Sequence, residues 1–136
     1  MKKYGFLFLI FIFLLTGCSA SDQAAKNGST ADGYDQISQD EAKKMMEQDD
    51  GHIIVDVRRQ DEYDAGHIHG AILIPNESID TEPPAELPDL DQIILIYCRS
   101  GNRSKQAAEK LFNMGYTNIY EFGGINTWTG EIIKEG

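Results

Sequence analysis

The stretch IILIYCRSGNRSKQAAEKLF, residues 93–112, contains the features that decide the fold. Its apolar run, residues 93–97, is typical of a strand buried on both faces of a parallel sheet, and the strand is predicted over residues 92–97. A short polar loop follows. A helix is then predicted over residues 104–114, with Ala107, Ala108, Leu111 and Phe112 on one face. Strand, loop and helix in this order indicate one unit of an α/β fold.

The same alternation continues along the chain. Strands are predicted at residues 34–38, 52–57, 71–75 and 118–122. Ser38 and Glu41 form a capping-box pattern that predicts a helix over residues 39–48. We also expect a helical turn at residues 61–64, a short or broken helix at most within the proline-containing segment 77–90, and a short terminal helix containing Trp128. The predicted fold is α/β, a single domain with a mostly parallel central sheet and helices on both faces.

The first residues predict export. Lys2 and Lys3 precede the apolar run Phe6–Leu15, which is too short to span a bilayer and is typical of a signal peptide. The tetrapeptide ending at Cys18 resembles a bacterial lipobox, whose cysteine is lipidated after cleavage. An ordinary secretory signal with a chance cysteine is the alternative. We therefore expect a signal peptide at 1–17, lipidated Cys18 with a flexible tether at 18–33, and one domain at 34–136.

Charge and cysteine content narrow the class of protein. The chain has 12 basic and 22 acidic side chains, and cleavage after residue 17 would remove two lysines, leaving a formal charge of −12. Such a surface does not suit nucleic acid or anionic lipid head groups, so membrane attachment should come from the lipid. We expect a monomer, extracytoplasmic and lipid-anchored, with the choice of inner or outer membrane left open. With Cys18 lipidated, Cys98 would have no disulfide partner.

The loop Cys98–Arg103 joins a predicted buried strand to a helix. Because sites form at the carboxyl ends of parallel strands, Cys98 and Arg58 should lie at the same sheet edge. The loop is short and contains Gly101, so several of its N–H groups can point inward beside the helix N-terminus and bind an anion. Such groups would lower the pKa of the Cys98 thiol. Arg103 is a better candidate than Arg99 for direct anion contact. The alternative is a cysteine packed as a small hydrophobic residue before a solvated turn.

Three kinds of cysteine or metal chemistry fit the pattern poorly. Dithiol redox enzymes need a second cysteine near the first, and Cys98 has none nearby. Cysteine-dependent phosphatases place arginine six positions after the cysteine, where this chain has Ser104, and usually place histidine before it, where this chain has Tyr97. No metal is predicted, because the three histidines do not form a convincing zinc-ligand set: His52, His67 and His69. Sulfur transfer remains.

The motif CRSGNRS resembles the active-site loop of the rhodanese (thiosulfate sulfurtransferase) family. The resemblance extends to IIVDVRRQDEYDAGHIHGAILIP, residues 53–75, and to YEFGGINTW, residues 120–128, and covers residues 34–136 as one rhodanese domain. One departure is His69, which stands where the family usually has proline and should alter a turn more than the chemistry.

The resemblance implies covalent sulfur transfer without a metal or organic cofactor. Cys98 would attack a sulfane donor such as thiosulfate, become a persulfide and pass the sulfur to a thiol or to cyanide. The expected partners are therefore a small sulfur-containing anion and a thiol acceptor. The resemblance implies that the substrate is held by the loop residues Arg99, Ser100, Gly101, Asn102 and Arg103, and that the active-site edge is supported by Asp56, Arg58 and Glu62. For Glu62, an ordinary surface ion pair is an almost equal alternative.

A second hypothesis assigns the protein to a different functional class, a binding or sensing module. A rhodanese module without catalytic activity could bind a partner protein at the cell surface or sense oxidants, since a lone thiol with a low pKa is oxidisable. The retained Cys98 favours the enzyme. His67 is expected to be structural, and Trp128 to belong to the core.

Overall fold

The computed structural model describes residues 33–135. The predicted signal peptide, lipidated Cys18 and almost all of the predicted tether lie outside the described residues and stay predictions. Between residues 33 and 135, no helix is long and apolar enough to cross a membrane. The elements, in chain order, are β1 Asp35–Gln36, α1 Gln39–Met46, β2 Ile53–Asp56, α2 Gln60–Ala65, β3 His67–Ile68, β4 Ala71–Leu73, β5 Ile93–Cys98, α3 Asn102–Asn113, β6 Asn118–Gly124 and β7 Ile132–Ile133, with 3-10 turns at Asn76–Ser78 and Ile125–Thr127.

The central sheet has five strands in the order β1-β6-β5-β2-β4, and all of its pairings are parallel. Residue Ile54 of β2 lies opposite Leu95 of β5, and Ile94 of β5 lies opposite Ile119 of β6. With every strand pointing the same way, the residues that follow β2 and β5 lie at one edge. The α/β fold with a mostly parallel sheet is confirmed.

Alternate residues of the central strands face opposite layers. Val55, Ile94 and Ile96 belong to the apolar cluster that also contains Ala107, Ala108 and Leu111 of α3. Ile54, Leu95 and Tyr97 belong to a second cluster with Ala42 of α1. The apolar runs of β2 and β5 therefore face a helix on each side, as expected for strands buried on both faces.

Helix α1 begins as its capping box predicts. The Ser38 hydroxyl accepts the Glu41 N–H at 3.2 Å, and the Glu41 carboxylate accepts the Ser38 N–H at 2.9 Å. These two bonds satisfy donors that a helix N-terminus otherwise leaves free. The helix ends at Met46, two residues before the predicted end.

Three local predictions were wrong. Helix α3 begins at Asn102 rather than Ser104, because Gly101 adopts a left-handed conformation (φ +105°) that turns the chain directly into the helix. Phe112 is 42% exposed and packs on Gly33 instead of joining the buried face of α3. Trp128 follows a 3-10 turn and is not helical, since the chain continues into β7, which pairs antiparallel with β3.

Candidate active site

The thiol of Cys98 lies at the carboxyl end of β5, under the loop that leads into α3. The residue is 1% exposed and lies opposite Gly124 of β6, after an irregularity in the β5–β6 register. Gly101 donates its N–H to Cys98 Sγ at 3.0 Å. Gly101 has a left-handed conformation, which favours glycine, and the chain turns directly from this N–H into α3.

Opposing effects act on the pKa of the Cys98 thiol. Burial raises the pKa, but the Ser104 hydroxyl and the N–H groups of Ser100, Gly101 and Ser104 favour the thiolate, and the pKa is lowered below its ordinary value. A thiolate is the nucleophilic form of cysteine. The loop therefore favours a reactive sulfur inside an otherwise acidic protein.

The segment after β6 supports the other side of the loop. Gly124 approaches Arg99 so closely that a side chain at position 124 would collide with the Arg99 carbonyl. That carbonyl also accepts the N–H of Asn126 at 3.2 Å. A glycine at position 124 is thus required by the close approach of two backbone segments.

Arg103 is held by Glu62 of α2. Its two terminal nitrogens donate to the two Glu62 oxygens at 2.6 and 2.8 Å, and Glu62 also accepts the N–H of Arg59 at 3.0 Å. The Arg103 guanidinium, which was predicted to contact an anionic substrate, is therefore bonded to a carboxylate of the protein. This ion pair joins α2 to the first turn of α3. The hydrogen bonds from Arg103, opposed by burial, lower the pKa of Glu62 to about 2.

The Glu62 carboxylate should make stability depend on pH. Its folded-state pKa is below its unfolded value of 4.5, so its contribution is complete above that value and is lost as pH falls toward about 2. Because solvent reaches the pair, we expect Glu62→Gln to cost about 1 kcal/mol at neutral pH. Urea unfolding between pH 7 and pH 2.5 should show the two proteins converging in acid. A gap that is constant over this range would contradict the assignment.

Asp56 and Arg58 form a buried pair behind the loop. Arg58 Nε and one terminal nitrogen donate to the Asp56 carboxylate at 2.7 to 3.1 Å, and the terminal nitrogen also donates to the Gly66 carbonyl at 2.7 Å. Tyr97 donates its hydroxyl to Asp56 at 2.7 Å and accepts the N–H of Ile68 at 3.0 Å. Within residues 33–135, no hydrogen bond links Asp56 or Arg58 directly to the loop, and their connection to Cys98 passes through the neighbouring Tyr97.

The remaining predicted residues lie in different surroundings. Arg99, Ser100 and Asn102 are exposed at the mouth of the site. His67 is buried, stacks on the Tyr63 ring at a centroid distance of 3.7 Å and has Nδ1 3.0 Å from the Tyr63 carbonyl oxygen, which is a structural environment.

His69, which follows β3, and Trp128, which precedes β7, lie away from the thiol in sequence and have other contacts. His69 Nδ1 lies 2.9 Å from Glu131 in an exposed pair. Trp128 packs against the second apolar cluster, and its ring is 5.6 Å from that of Phe122.

Sequence reasoning missed three polar residues around the loop. Tyr97 supports the strand end, and the Ser104 hydroxyl donates to Glu121 of β6 at 2.6 Å. The available signal was a glutamate inside the strand NIYEF, whose neighbours on both sides are apolar or aromatic. Buried polar groups of this kind need partners, which a sequence alone does not identify.

The geometry suits one-thiol nucleophilic chemistry on an anion. Cys98 is free and is the single cysteine among residues 33–135. The sulfur is surrounded by N–H donors at a helix N-terminus, an arrangement that stabilises negative charge on the sulfur and on atoms attached to it.

Known proteins are similar to this chain in sequence. The family described as "Rhodanese-like domain" matches residues 38–131. The thiosulfate sulfurtransferase PspE of Escherichia coli (strain K12) is 37% identical over 71 residues, covering 52% of this chain and 68% of that protein. The thiosulfate sulfurtransferase GlpE of Pseudomonas fluorescens (strain SBW25) is 35% identical over 96 residues, covering 70% of this chain and 84% of that protein.

Solved structures of rhodanese proteins have a similar fold. A rhodanese with anions from E. coli superposes with a TM-score of 0.57 at 32% identity, covering 62% of this chain and 99% of that one. A rhodanese-related protein from Thermoplasma volcanium gives a TM-score of 0.63 at 25% identity, covering 75% of this chain and 100% of that one. Almost the whole length of each of these two solved structures therefore aligns with part of this chain.

Proposed function

Since the chain belongs to the rhodanese-like domain family, we propose that it is a sulfurtransferase that moves sulfane sulfur from thiosulfate, or a related anion, to a thiol through a Cys98 persulfide. The observation that carries this proposal is the N–H of Gly101 directed at Cys98 Sγ at 3.0 Å. The relatives named thiosulfate sulfurtransferase support the choice of donor.

The proposed first step forms one S–S bond and breaks another. The Cys98 thiolate attacks the outer sulfur of thiosulfate, and sulfite leaves with the electron pair of the broken S–S bond. The loop N–H groups of Ser100, Gly101 and Ser104 would stabilise the negative charge on the persulfide sulfur. No net oxidation occurs, so no external oxidant or reductant is required.

The proposed second step regenerates the thiolate. An acceptor thiolate, or cyanide in an assay, attacks the terminal sulfur, and Cys98 leaves with the electron pair of the persulfide bond. Because donor and acceptor react in turn at one sulfur, the kinetics should be ping-pong. Arg99, which is exposed at the mouth, would attract an incoming anion, whereas Arg103 holds Glu62.

We further propose that lipidated Cys18 anchors the domain to the outer side of a bacterial membrane. The support for this is the order of basic residues, apolar run and lipobox-like tetrapeptide in residues 2–18. An extracytoplasmic domain would meet thiosulfate before it enters the cell and would need a reductant outside the cytoplasm to keep Cys98 active.

The proposed activity is tested by loading and discharging one sulfur atom. The chain from residue 18, with Cys18→Ser so that Cys98 is its one thiol, is reduced and incubated with thiosulfate. We expect intact mass spectrometry to show the addition of one sulfur atom, and cyanide to remove it with an equal yield of thiocyanate. A folded protein that takes up no sulfur would sink the proposal and favour a redox-sensing or partner-binding module.

A further inference from the structure

Glu121 is a buried carboxylate beside the candidate active site. It lies in β6 and is 3% exposed, on the same face of the sheet as α3. Its Oε1 accepts two hydrogen bonds, from the Ser104 hydroxyl at 2.6 Å and from the Gly123 N–H at 2.8 Å. Burying a carboxylate is costly unless it is well bonded, so stability alone does not favour glutamate in a position flanked by apolar layers.

Nearby cations do not neutralise Glu121. Across the described range 33–135, no lysine, arginine or histidine nitrogen lies within 4.0 Å of its carboxylate. In the first turn of α3, Arg103 is paired with Glu62 and Lys105 is exposed. Glu121 is therefore held by neutral donors, both of which belong to segments that touch the Cys98 loop.

The first segment, the start of α3 with Ser104, contacts the turn next to the Cys98 sulfur. Besides meeting Glu121, the Ser104 Oγ lies 2.9 Å from the carbonyl oxygen of Gly101. Gly101 is the residue whose N–H points at Cys98 Sγ. One oxygen of Glu121 thus fixes the Ser104 side chain, which borders the turn that carries the donor to the thiol.

The second segment supports the opposite side of the loop. Gly123 has a φ of +92°, and its N–H is directed at Glu121 Oε1. Gly124 follows it and packs directly on the Arg99 backbone. A single carboxylate oxygen therefore links the two segments between which the loop is held.

From this geometry we infer that Glu121 is a positioning residue, whose oxygen holds Ser104 and Gly123 so that the Gly101 N–H remains directed at the Cys98 sulfur. The inference rests on the proposed function only for the chemical role of the Cys98 sulfur, because the thiol pKa can be measured without sulfur transfer. Displacing the donor should disfavour the thiolate, since an N–H directed at sulfur stabilises its charged form.

The test measures the thiol pKa from the rate of iodoacetamide alkylation as a function of pH, using the chain from residue 18 with Cys18→Ser. Glu121→Gln keeps an acceptor oxygen and removes the charge, whereas Glu121→Leu removes both. We expect Glu121→Leu to have a thiol pKa about one unit above that of Glu121→Gln, which is about a tenfold lower thiolate fraction at a pH below both values. Equal pKa values in these two variants would overturn the inference.

Two further variants separate positioning from general damage. Ile119→Val alters a buried residue on the same face of β6 and should lower thermal stability while leaving the thiol pKa at the wild-type value. Ser104→Ala should raise the thiol pKa, and in that background Glu121→Leu and Glu121→Gln should differ less in thiol pKa than they do in the parent chain, because one of the two contacts through which Glu121 acts is already lost. If Glu121→Leu does not fold, an unchanged thiol pKa in Ser104→Ala overturns the inference. None of these readouts depends on thiosulfate, so an absence of sulfur transfer would leave this result interpretable.

Discussion

Cys98→Ser should remove sulfur transfer from thiosulfate to cyanide, with a loss of at least about a thousandfold in kcat/KM. The sulfur of Cys98 is the proposed nucleophile, and a serine hydroxyl at the same place is neither ionised at neutral pH nor able to form a persulfide. The sulfur accepts the Gly101 N–H, which a serine oxygen can also accept, so the folded structure should survive. Thiocyanate formation and intact mass after thiosulfate treatment provide the two measurements.

The control for Cys98→Ser is a comparison of its folding with that of the parent chain. Circular dichroism and thermal unfolding of Cys98→Ser should match those of the parent chain, because the change in volume is small and the residue packs at the end of the apolar cluster. If Cys98→Ser still gained a sulfur atom and released it to cyanide, the persulfide would have to lie elsewhere and the assignment of Cys98 would be wrong.

The parts of the fold that could be predicted depend on local patterns. The apolar runs of β2 and β5 predicted strands buried on both faces, because such runs need a layer on each side. The Ser38–Glu41 capping box predicted the start of α1 at the correct residue, since both of its bonds form within four residues of chain.

The parts that could not be predicted depend on contacts between distant segments. The terminal residues pair as β7 with β3, across more than sixty residues of chain, so the local pattern around Trp128 gave no sign of a strand. Phe112 has the spacing of a buried residue on α3, but it packs on Gly33 at the edge of the domain and stays exposed. Helical periodicity does not show where a neighbouring layer ends.

The same division holds for the site. Cys98 and its loop could be located because a strand end followed by a glycine-containing turn has a local signature. The partners of the loop could not, because Arg103 meets Glu62 across 41 residues and Ser104 meets Glu121 across 17. Arg103 was therefore predicted to contact an anion directly, whereas the structure directs its guanidinium at a carboxylate on α2.

The largest effect on stability is expected from Asp56→Ala. Asp56 is 0% exposed, and the hydrogen bonds that its carboxylate accepts among residues 33–135 come from Arg58 and Tyr97. Its removal leaves the Arg58 guanidinium buried with no opposite charge, a loss that typically costs about 3–5 kcal/mol. This is a large part of the total free energy of unfolding of an ordinary domain, about 5–15 kcal/mol. Urea unfolding monitored by circular dichroism gives the value.

The chain contains a matched control for this prediction. Arg59 and Asp61 also pair two residues apart, at 3.0 Å, but their side chains are 61% and 69% exposed. Because water solvates both charges whether or not they meet, Asp61→Ala should cost no more than about 1 kcal/mol. Equal losses in the two variants would mean that burial of the Asp56–Arg58 pair does not govern its contribution. A much larger loss in Asp56→Ala is the expected result, because this substitution removes the partner of a buried guanidinium and the acceptor of the Tyr97 hydroxyl together.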